Sequence, residues 1–573
     1  MPTPKYKLNK NSAKTKSLPA SNNSFVGLGI KFNSWLNDKR AFTVASVLLL
    51  ISILIGSSWS SSALASNGDA LIGPYMFWGH FWRNKVMIPA PHTDILKFPL
   101  FVFQAHTGFH FLNYSIVNYL LVAVTLFAVS LIVYFFVSKK AGVITALSLA
   151  FIYAASPDLG LQIAYNTVRN IEYPIILLFF VAVLAYVRNG VSRWQKILGF
   201  ILLWLIYSTI LAGDQLFIYI TVPAALGTLA IIWLRENKLR RRAVYSASIV
   251  IAAVLASVLI YKFADKIGFF DPDKNYVVTH ILLNPAGVVL SIGSTIYQTI
   301  RLIGGFSGFL YMTVLASVIF ITGVLGLAWA LKDEVFKKPY KLDLSRSLTS
   351  AGGLLFLCSF GIFVLSGYAV VKLPNHFIAT YAYERYVTFL PLLLAIGVGY
   401  LVSRLSSVFY ERLNLSLLAV VVITLIVMIP VSVNQLDSAN IDHSEYQALA
   451  KNLQANDVHL IVSGYWHGAA TKFWSKDGSL IFAPANTCNW SYTLNSRKDW
   501  FYPTANITKS AYVIAYSGQD KVFFDGCTEA KLHQIFGNPA KVIYSPVSGS
   551  GKPLRVEIYN YDIRTKMIRP WDP

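Results

Sequence analysis

The chain has 573 residues, 55% of them hydrophobic and 13% charged, with a mean hydropathy of +0.53. A soluble domain carries about a quarter charged residues, so this composition excludes a disordered chain and argues against a wholly soluble enzyme. The net charge of +22 would suggest nucleic acid on a soluble protein, but membrane proteins collect Lys and Arg on their cytoplasmic side.

Residues 1–40 read as a basic cytoplasmic tail, Lys/Asn/Ser-rich and disordered over its first 25 positions. Eleven apolar runs follow that approach the roughly 20 residues needed to cross a bilayer core. They cover 41–59, 111–137, 141–156, 174–187, 197–212, 216–234, 243–261, 309–331, 350–371, 386–403 and 415–434. The alternative for the first run is a signal peptide cleaved after Ala63-Leu64-Ala65, although forty residues is a long lead for one. The tail and the alternate loops on its side hold 25 Lys and Arg, and the opposite loops hold ten. That asymmetry sets the amino terminus inside, the carboxyl terminus outside, and removes nucleic acid as the explanation of the charge.

The long loop 60–110 is aromatic, with Tyr75, Phe77, Trp78, Phe81 and Trp82, and reads as interfacial helices on the outer face. Asp69 sits just beyond the first run, where a carboxylate can act as general base toward an acceptor hydroxyl; capping the next helix is its alternative role. Asp94 is a second acid of this loop. His106 and His110 share a helical spacing, with His92 and Asp94 upstream; a divalent metal there is weighed against interfacial histidines. No nucleotide-binding loop occurs, and no cofactor is called for.

The next outer loop carries Ser156-Pro157-Asp158 and Arg169-Asn170-Ile171-Glu172. Arg169 and Asn170 at the mouth of a helix suit a phosphate and a sugar hydroxyl, or Arg169 and Glu172 form a surface pair. Asp214 either faces the same cavity or caps the sixth run. Arg385, at another outer helix end, either neutralises a phosphate leaving group or snorkels to headgroups. The spans themselves are almost free of ionisable residues, which weighs against an ion-coupled transporter.

Residues 437–573 change character. Short β-type runs at Val458–Val462, Leu480–Phe482, Ala511–Ala515 and Arg555–Tyr559 alternate with helical stretches at Ser444–Gln454 and Glu529–Phe536, predicting an extracytoplasmic α/β domain. Cys488 and Cys527 both fall in it, where a disulfide persists; two separate buried thiols are the alternative. Gly464-Tyr465-Trp466-His467 and Arg497-Lys498-Asp499-Trp500-Phe501-Tyr502 offer aromatics either for stacking on sugars or for the domain core.

The fold class expected is thus an α-helical polytopic membrane bundle of about eleven helices (41–434) with a C-terminal extracytoplasmic α/β domain (437–573). An acid soon after the first span (Asp69), a long first outer loop, Ser156-Pro157, an acid before the fourth span (Glu172), and Glu384-Arg385-Tyr386 with Pro391 together resemble the GT-C superfamily of integral-membrane glycosyltransferases. That class includes the protein O-mannosyltransferases and the lipid A aminoarabinose transferase. The chain departs from the pattern in having Ala70 after Asp69 and Glu172 where Asp is more usual.

The resemblance implies a polyprenyl-phosphate sugar donor drawn from the membrane lipids and an extracytoplasmic acceptor glycan, lipid or protein. It implies Asp69 and Glu172 as the catalytic acids, with Arg169 and Arg385 on the donor phosphate. A lipid-linked glycan flippase and a catalytically silent scaffold on the same fold are the competing expectations.

Overall fold

Each of the eleven apolar runs forms a helix in the computed structural model, although the helix of the run 350–371 ends at Leu365 and Val370–Lys372 is a strand paired antiparallel with Phe377–Ala379. The structure describes residues 39–66, 86–87, 95–97, 99–100, 102–103, 111–164, 169–189, 194–266, 282, 284–306, 308–366, 370–372, 377–379, 387–405, 407–475, 480–491, 496–515, 527–545 and 553–569. In chain order the helices of the bundle are α1 (Lys39–Ser66), α2 (Phe111–Phe136), α3 (Lys139–Ala155), α4 (Pro157–Ala164), α5 (Glu172–Asn189), α6 (Trp194–Gly213), α7 (Leu216–Arg235), α8 (Arg240–Lys266), α9 (Pro285–Leu302), α10 (Leu310–Phe336), α11 (Leu344–Leu365), α12 (Phe389–Arg404) and α13 (Ser407–Ala455).

Among the described residues eight helices are long and apolar enough to cross a membrane. The other three predicted runs fold as the pair α3–α4, bent by 101°, and the shorter apolar helices at Ile197–Gly213 and Phe389–Arg404. Two of these short helices have a reason for being apolar all round: α3 is buried from Ala141 to Ala155 and α12 from Phe389 to Tyr400. They are the inner helices of the bundle, covered by neighbours rather than by lipid. Close approach there depends on glycine. A Cβ at Gly326 of α10 would strike the Gly397 carbonyl of α12, and a Cβ at Gly397 would strike that of Gly323, the small-residue contact that lets membrane helices pack backbone to backbone.

One helix was not legible as an apolar run. In α9 the buried face is Ser291, Ser294, Thr295, Gln298 and Thr299, while Val289 and Ile292 are exposed. Its hydroxyls are spent on backbone carbonyls, Ser291 Oγ on Val364 O at 2.9 Å and Thr295 Oγ1 on Ser291 O at 2.6 Å. A helix with its polar face inward breaks the apolar run that identifies the others.

Two cores divide the molecule, one inside the bundle and one in the carboxyl-terminal domain, joined by the 49-residue α13. Where a break was expected between 434 and 437, this helix continues from the apolar stretch into the second core, burying Tyr446, Leu449 and Leu453 there. The domain is a six-stranded sheet of order β6-β5-β4-β8-β10-β9. Its strands are β4 (Leu460–Ser463), β5 (Ile481–Asn486), β6 (Trp490–Ser491), β8 (Ser510–Ile514), β9 (Lys541–Ser545) and β10 (Leu554–Tyr559). Strand β4 is parallel to both β5 and β8, and the other pairings are antiparallel. Helices α14 (Tyr465–Trp474) and α15 (Glu529–Phe536) complete the α/β fold.

Cys488 and Cys527 form the expected disulfide, with Cα atoms 5.1 Å apart and 39 residues between them in sequence, and Cys358 in α11 is a free, half-buried thiol. Closing a loop of that length constrains the unfolded chain by about 4 kcal/mol. Reduction, or the Cys488→Ala/Cys527→Ala variant, should lower the domain's unfolding midpoint accordingly in a thermal melt run with and without dithiothreitol.

Candidate functional site

The helix ends at 155–172, 213–216, 301 and 388 are joined by side-chain contacts, Asp158 with Arg301, Arg169 with Asp214 and Tyr173 with Thr388, at the end of the bundle from which α13 runs on into the sheet domain. Arg169, Asn170, Glu172 and Asp214 meet there, and the structure adds Lys97, which the sequence offered only as one basic residue of a long loop. All five are buried. Lys97 Nζ lies 3.1 Å from Glu172 Oε1. The Asn170 backbone N–H donates to Glu172 Oε2 at 2.7 Å, so the carboxylate receives a charge-assisted bond on each oxygen. Asn170 is locked by its own side chain, whose Nδ2 donates to Ile163 O at 3.1 Å while Oδ1 accepts from the Ile171 N–H at 2.7 Å.

Arg169 pairs through Nε with Asp214 Oδ2, and its guanidinium lies over the Phe217 ring, 5.8 Å from the centroid. Asp214 Oδ1 accepts from the Leu216 N–H at 3.0 Å, so this residue both caps α7 and pairs with arginine. The Arg169 to Glu172 surface pair, one of the two alternatives weighed above, does not form. Each takes another partner, and the burial makes both pairs far more consequential than surface bridges.

Tyr173 extends the cluster toward α12, with its hydroxyl 2.5 Å from Thr388 Oγ1 and its ring stacked on Phe389 at 4.4 Å. At the same end, Ser156 caps α4 by accepting from the Leu159 N–H, producing the sharp bend at Ser156-Pro157. Asp158 pairs with Arg301 of α9 at 2.6 Å, both half-exposed.

Asp69, Asp94 and Arg385, with His92, His106 and His110, lie outside the described residues. Among the described residues no group of three or more His, Cys, Asp or Glu is placed to hold a metal ion. A shallow apolar crevice between α5 and α7 is lined by Phe179, Val183, Ala225 and Leu229 and supplies no acid or base.

The loop carrying Lys97 is tied to both parts of the molecule. Val86 and Met87 (β1, Val86–Met87) pair antiparallel with Arg497 and Ser496 (β7, Ser496–Arg497) of the sheet domain. Leu96 packs on the core of the bundle and Val102 on that of the domain. The domain itself is oriented by α13. Strand β4 turns back at Asn456-Asp457 and runs toward the bundle, so the carboxyl ends of the parallel strands face it, and α14 contacts α1. In open α/β sheets that edge is where ligands bind.

The aromatics weighed for sugar stacking belong mainly to the core. Tyr465, Phe473, Trp474, Trp500 and Phe501 are buried, and Tyr502 is exposed. His467 Nδ1 is 2.7 Å from the Tyr446 hydroxyl, and Arg497 is held bidentate by Asp499, with Nη2 to Oδ2 at 2.6 Å.

Lys472 is buried among them, donating to Leu480 O at 2.7 Å beside the Trp500 ring. Desolvation, reinforced by nearby Arg497 and opposed by Asp499, pushes its ammonium down from 10.5 to about 7. Between those two values the unfolded chain holds the proton more tightly than the folded domain, so stability rises with pH across that window and is flat at its lower level below it. Lys472→Met should abolish that rise and stabilise the domain at pH 7 by on the order of 2–4 kcal/mol, measured as the difference between wild-type and variant melts from pH 6 to 10.

Comparison with known proteins finds no protein-family model and no curated protein that matches the chain.

Proposed function

We propose that this protein is a glycosyltransferase of the cytoplasmic membrane, with its amino terminus in the cytoplasm and its sheet domain outside, moving a sugar from a polyprenyl-phosphate carrier to an extracytoplasmic glycan, lipid or protein. One observation carries the reading. Lys97 draws the long loop that holds Asp69 onto a buried cluster of Glu172, Arg169 and Asp214, at the membrane end that the sheet domain covers. Eight helices apolar enough to span a bilayer and a disulfide in the domain fit that placement.

In this reading Asp69 takes the proton of an acceptor hydroxyl as its oxygen attacks the anomeric carbon. The carbon–oxygen bond to the carrier phosphate breaks, and polyprenyl phosphate leaves with the electron pair. Cations at the helix ends, Arg385 among them, stabilise the charge growing on that phosphate. Asp94 positions a sugar hydroxyl, Asn170 holds the Glu172 carboxylate through its backbone N–H, and Glu172 and Asp214 hold the two basic side chains of the cluster.

A second reading is favoured by the pairing of those charges: two acids and two cations that hold one another form a structural lock on a silent scaffold.

Purified protein given a panel of radiolabelled polyprenyl-phosphate sugars separates the two. Donor consumption that Asp69→Asn lowers by at least about a hundredfold, with donor binding retained, supports the transferase. Neither binding nor consumption across the panel supports the scaffold.

A further inference from the structure

At the bundle end away from the sheet domain, α7 turns into α8 through Arg235-Glu236-Asn237-Lys238-Leu239-Arg240-Arg241-Arg242. Three arginines open α8, and no acid lies in its first turn. The 3-10 turn Asn237–Leu239 runs directly into α8, with the Arg240 N–H bonded to Asn237 O, so the arginines stand just inside the positive end of the helix dipole, where an anion offsets the charge they add. Arg242 turns inward, donating to Arg188 O at 3.0 Å. The other two are held ready at the surface. Arg240 lies over Trp233, 5.0 Å from the ring centroid, with its Nε donating to Trp233 O at 3.1 Å. Arg241 lies over Tyr245 at 5.4 Å, with its Nε donating to the tyrosine hydroxyl at 2.9 Å.

Each guanidinium thus spends its Nε and one face on its own chain and keeps its Nη edge. Lys238, Arg240 and Arg241 are exposed, and among the described residues none of them makes an ion pair, not even with Glu236. Trp233 is 41% and Tyr245 46% exposed, with Leu234 at 65% beside them, the aromatic and apolar surface that sits at a bilayer interface.

We propose that this corner binds the headgroup of an anionic phospholipid in the cytoplasmic leaflet. The Nη groups of Arg240 and Arg241 hold the phosphodiester in the bidentate manner that suits arginine, Lys238 adds charge, and an acyl chain lies along Leu234. The α2–α3 corner is the internal contrast. Its basic pair Lys139-Lys140 opens a helix already capped by Ser138, which accepts from the Ala141 N–H, and Lys140 is drawn over the Tyr410 ring. This site is independent of the proposed transfer reaction.

The test is native mass spectrometry of the detergent-purified protein titrated with phosphatidylglycerol and with phosphatidylcholine. Wild type should bind phosphatidylglycerol preferentially. Arg240→Gln/Arg241→Gln should weaken that binding by at least about tenfold with phosphatidylcholine unaffected, while Lys139→Gln/Lys140→Gln, an equal loss of charge, should leave it unchanged. Arg240→Lys/Arg241→Lys, which keeps the charge and loses the fork, should fall between, and carries the test should the glutamine variant fail to fold. No preference in the wild type, equal weakening by the two glutamine pairs, or full binding by the lysine variant would each overturn the proposal.

Discussion

Glu172→Leu should lower stability by about 3–5 kcal/mol, because it removes the carboxylate 3.1 Å from the buried Lys97 ammonium. The side chains of this pair are 2% and 8% exposed, so water does not replace the lost carboxylate. Lys97→Met should be as damaging for the mirror-image reason. The double variant Lys97→Met/Glu172→Leu removes both charges at once and should recover most of the loss, since an apolar pair of similar volume needs no compensation. The Asn170 N–H would still lose its acceptor, which holds the recovery short of completeness by about 1 kcal/mol. Thermal unfolding of the four proteins gives the coupling directly. Donor consumption on the same samples then decides between the two proposed roles. A double variant that is restored in stability and still inactive marks the cluster as part of the reaction site, and one restored in both marks it as a lock.

A comparable loss is expected at the opposite end of the bundle, where Glu334 is fully buried and receives three side chains. Arg346 Nε approaches Oε2 at 2.5 Å, and the Tyr340 and Ser347 hydroxyls donate to Oε1 at 2.6 and 2.7 Å. Arg346 also donates to Lys341 O at 2.7 Å, and both it and Arg235 lie over the Tyr340 ring. Burial and the adjacent carboxylate push the Tyr340 phenol well above its ordinary value, so it remains a donor at every working pH.

This network clamps the α10–α11 turn to the end of α7. Glu334→Ala should cost about 3–5 kcal/mol by stranding Arg346, and Glu334→Gln less, because an amide oxygen still accepts from the hydroxyls. Here Glu334→Leu/Arg346→Met should rescue only part of the loss, since Tyr340 and Ser347 are left with donors and no acceptor. A full rescue would show that the hydroxyls are dispensable, with the unfolding midpoint again the measurement.

The contrast between these clusters shows how far one-dimensional reading reaches. Arg346 was countable among the basic residues of the loops expected inside, and Lys97 among the few of the loops expected outside. Hydropathy depends on composition over a window, so it located the apolar helices without needing contacts. The pairing of Lys97 with Glu172, or of Arg169 with Asp214 across 45 residues, depends on which helix ends are adjacent, and no local pattern contains that. The spacing of Arg169 and Glu172 made their mutual pairing one of two alternatives, because local geometry is all that such a spacing carries.

Periodicity, length and a scarce residue type suffice for the apolar helices, the four β-type runs of the carboxyl-terminal domain, helix Glu529–Phe536 and the choice of Cys488 and Cys527 as candidate partners. Tertiary structure alone decided that α9 is a helix with its polar face inward, that α13 runs unbroken through a compositional boundary, and that Trp500 and its neighbours fill a core. It alone decided, too, that the long loop after α1 is stitched to bundle and domain at once. Those features are set by what each residue meets across the chain, where burial energy and charge pairing are settled between segments far apart in sequence.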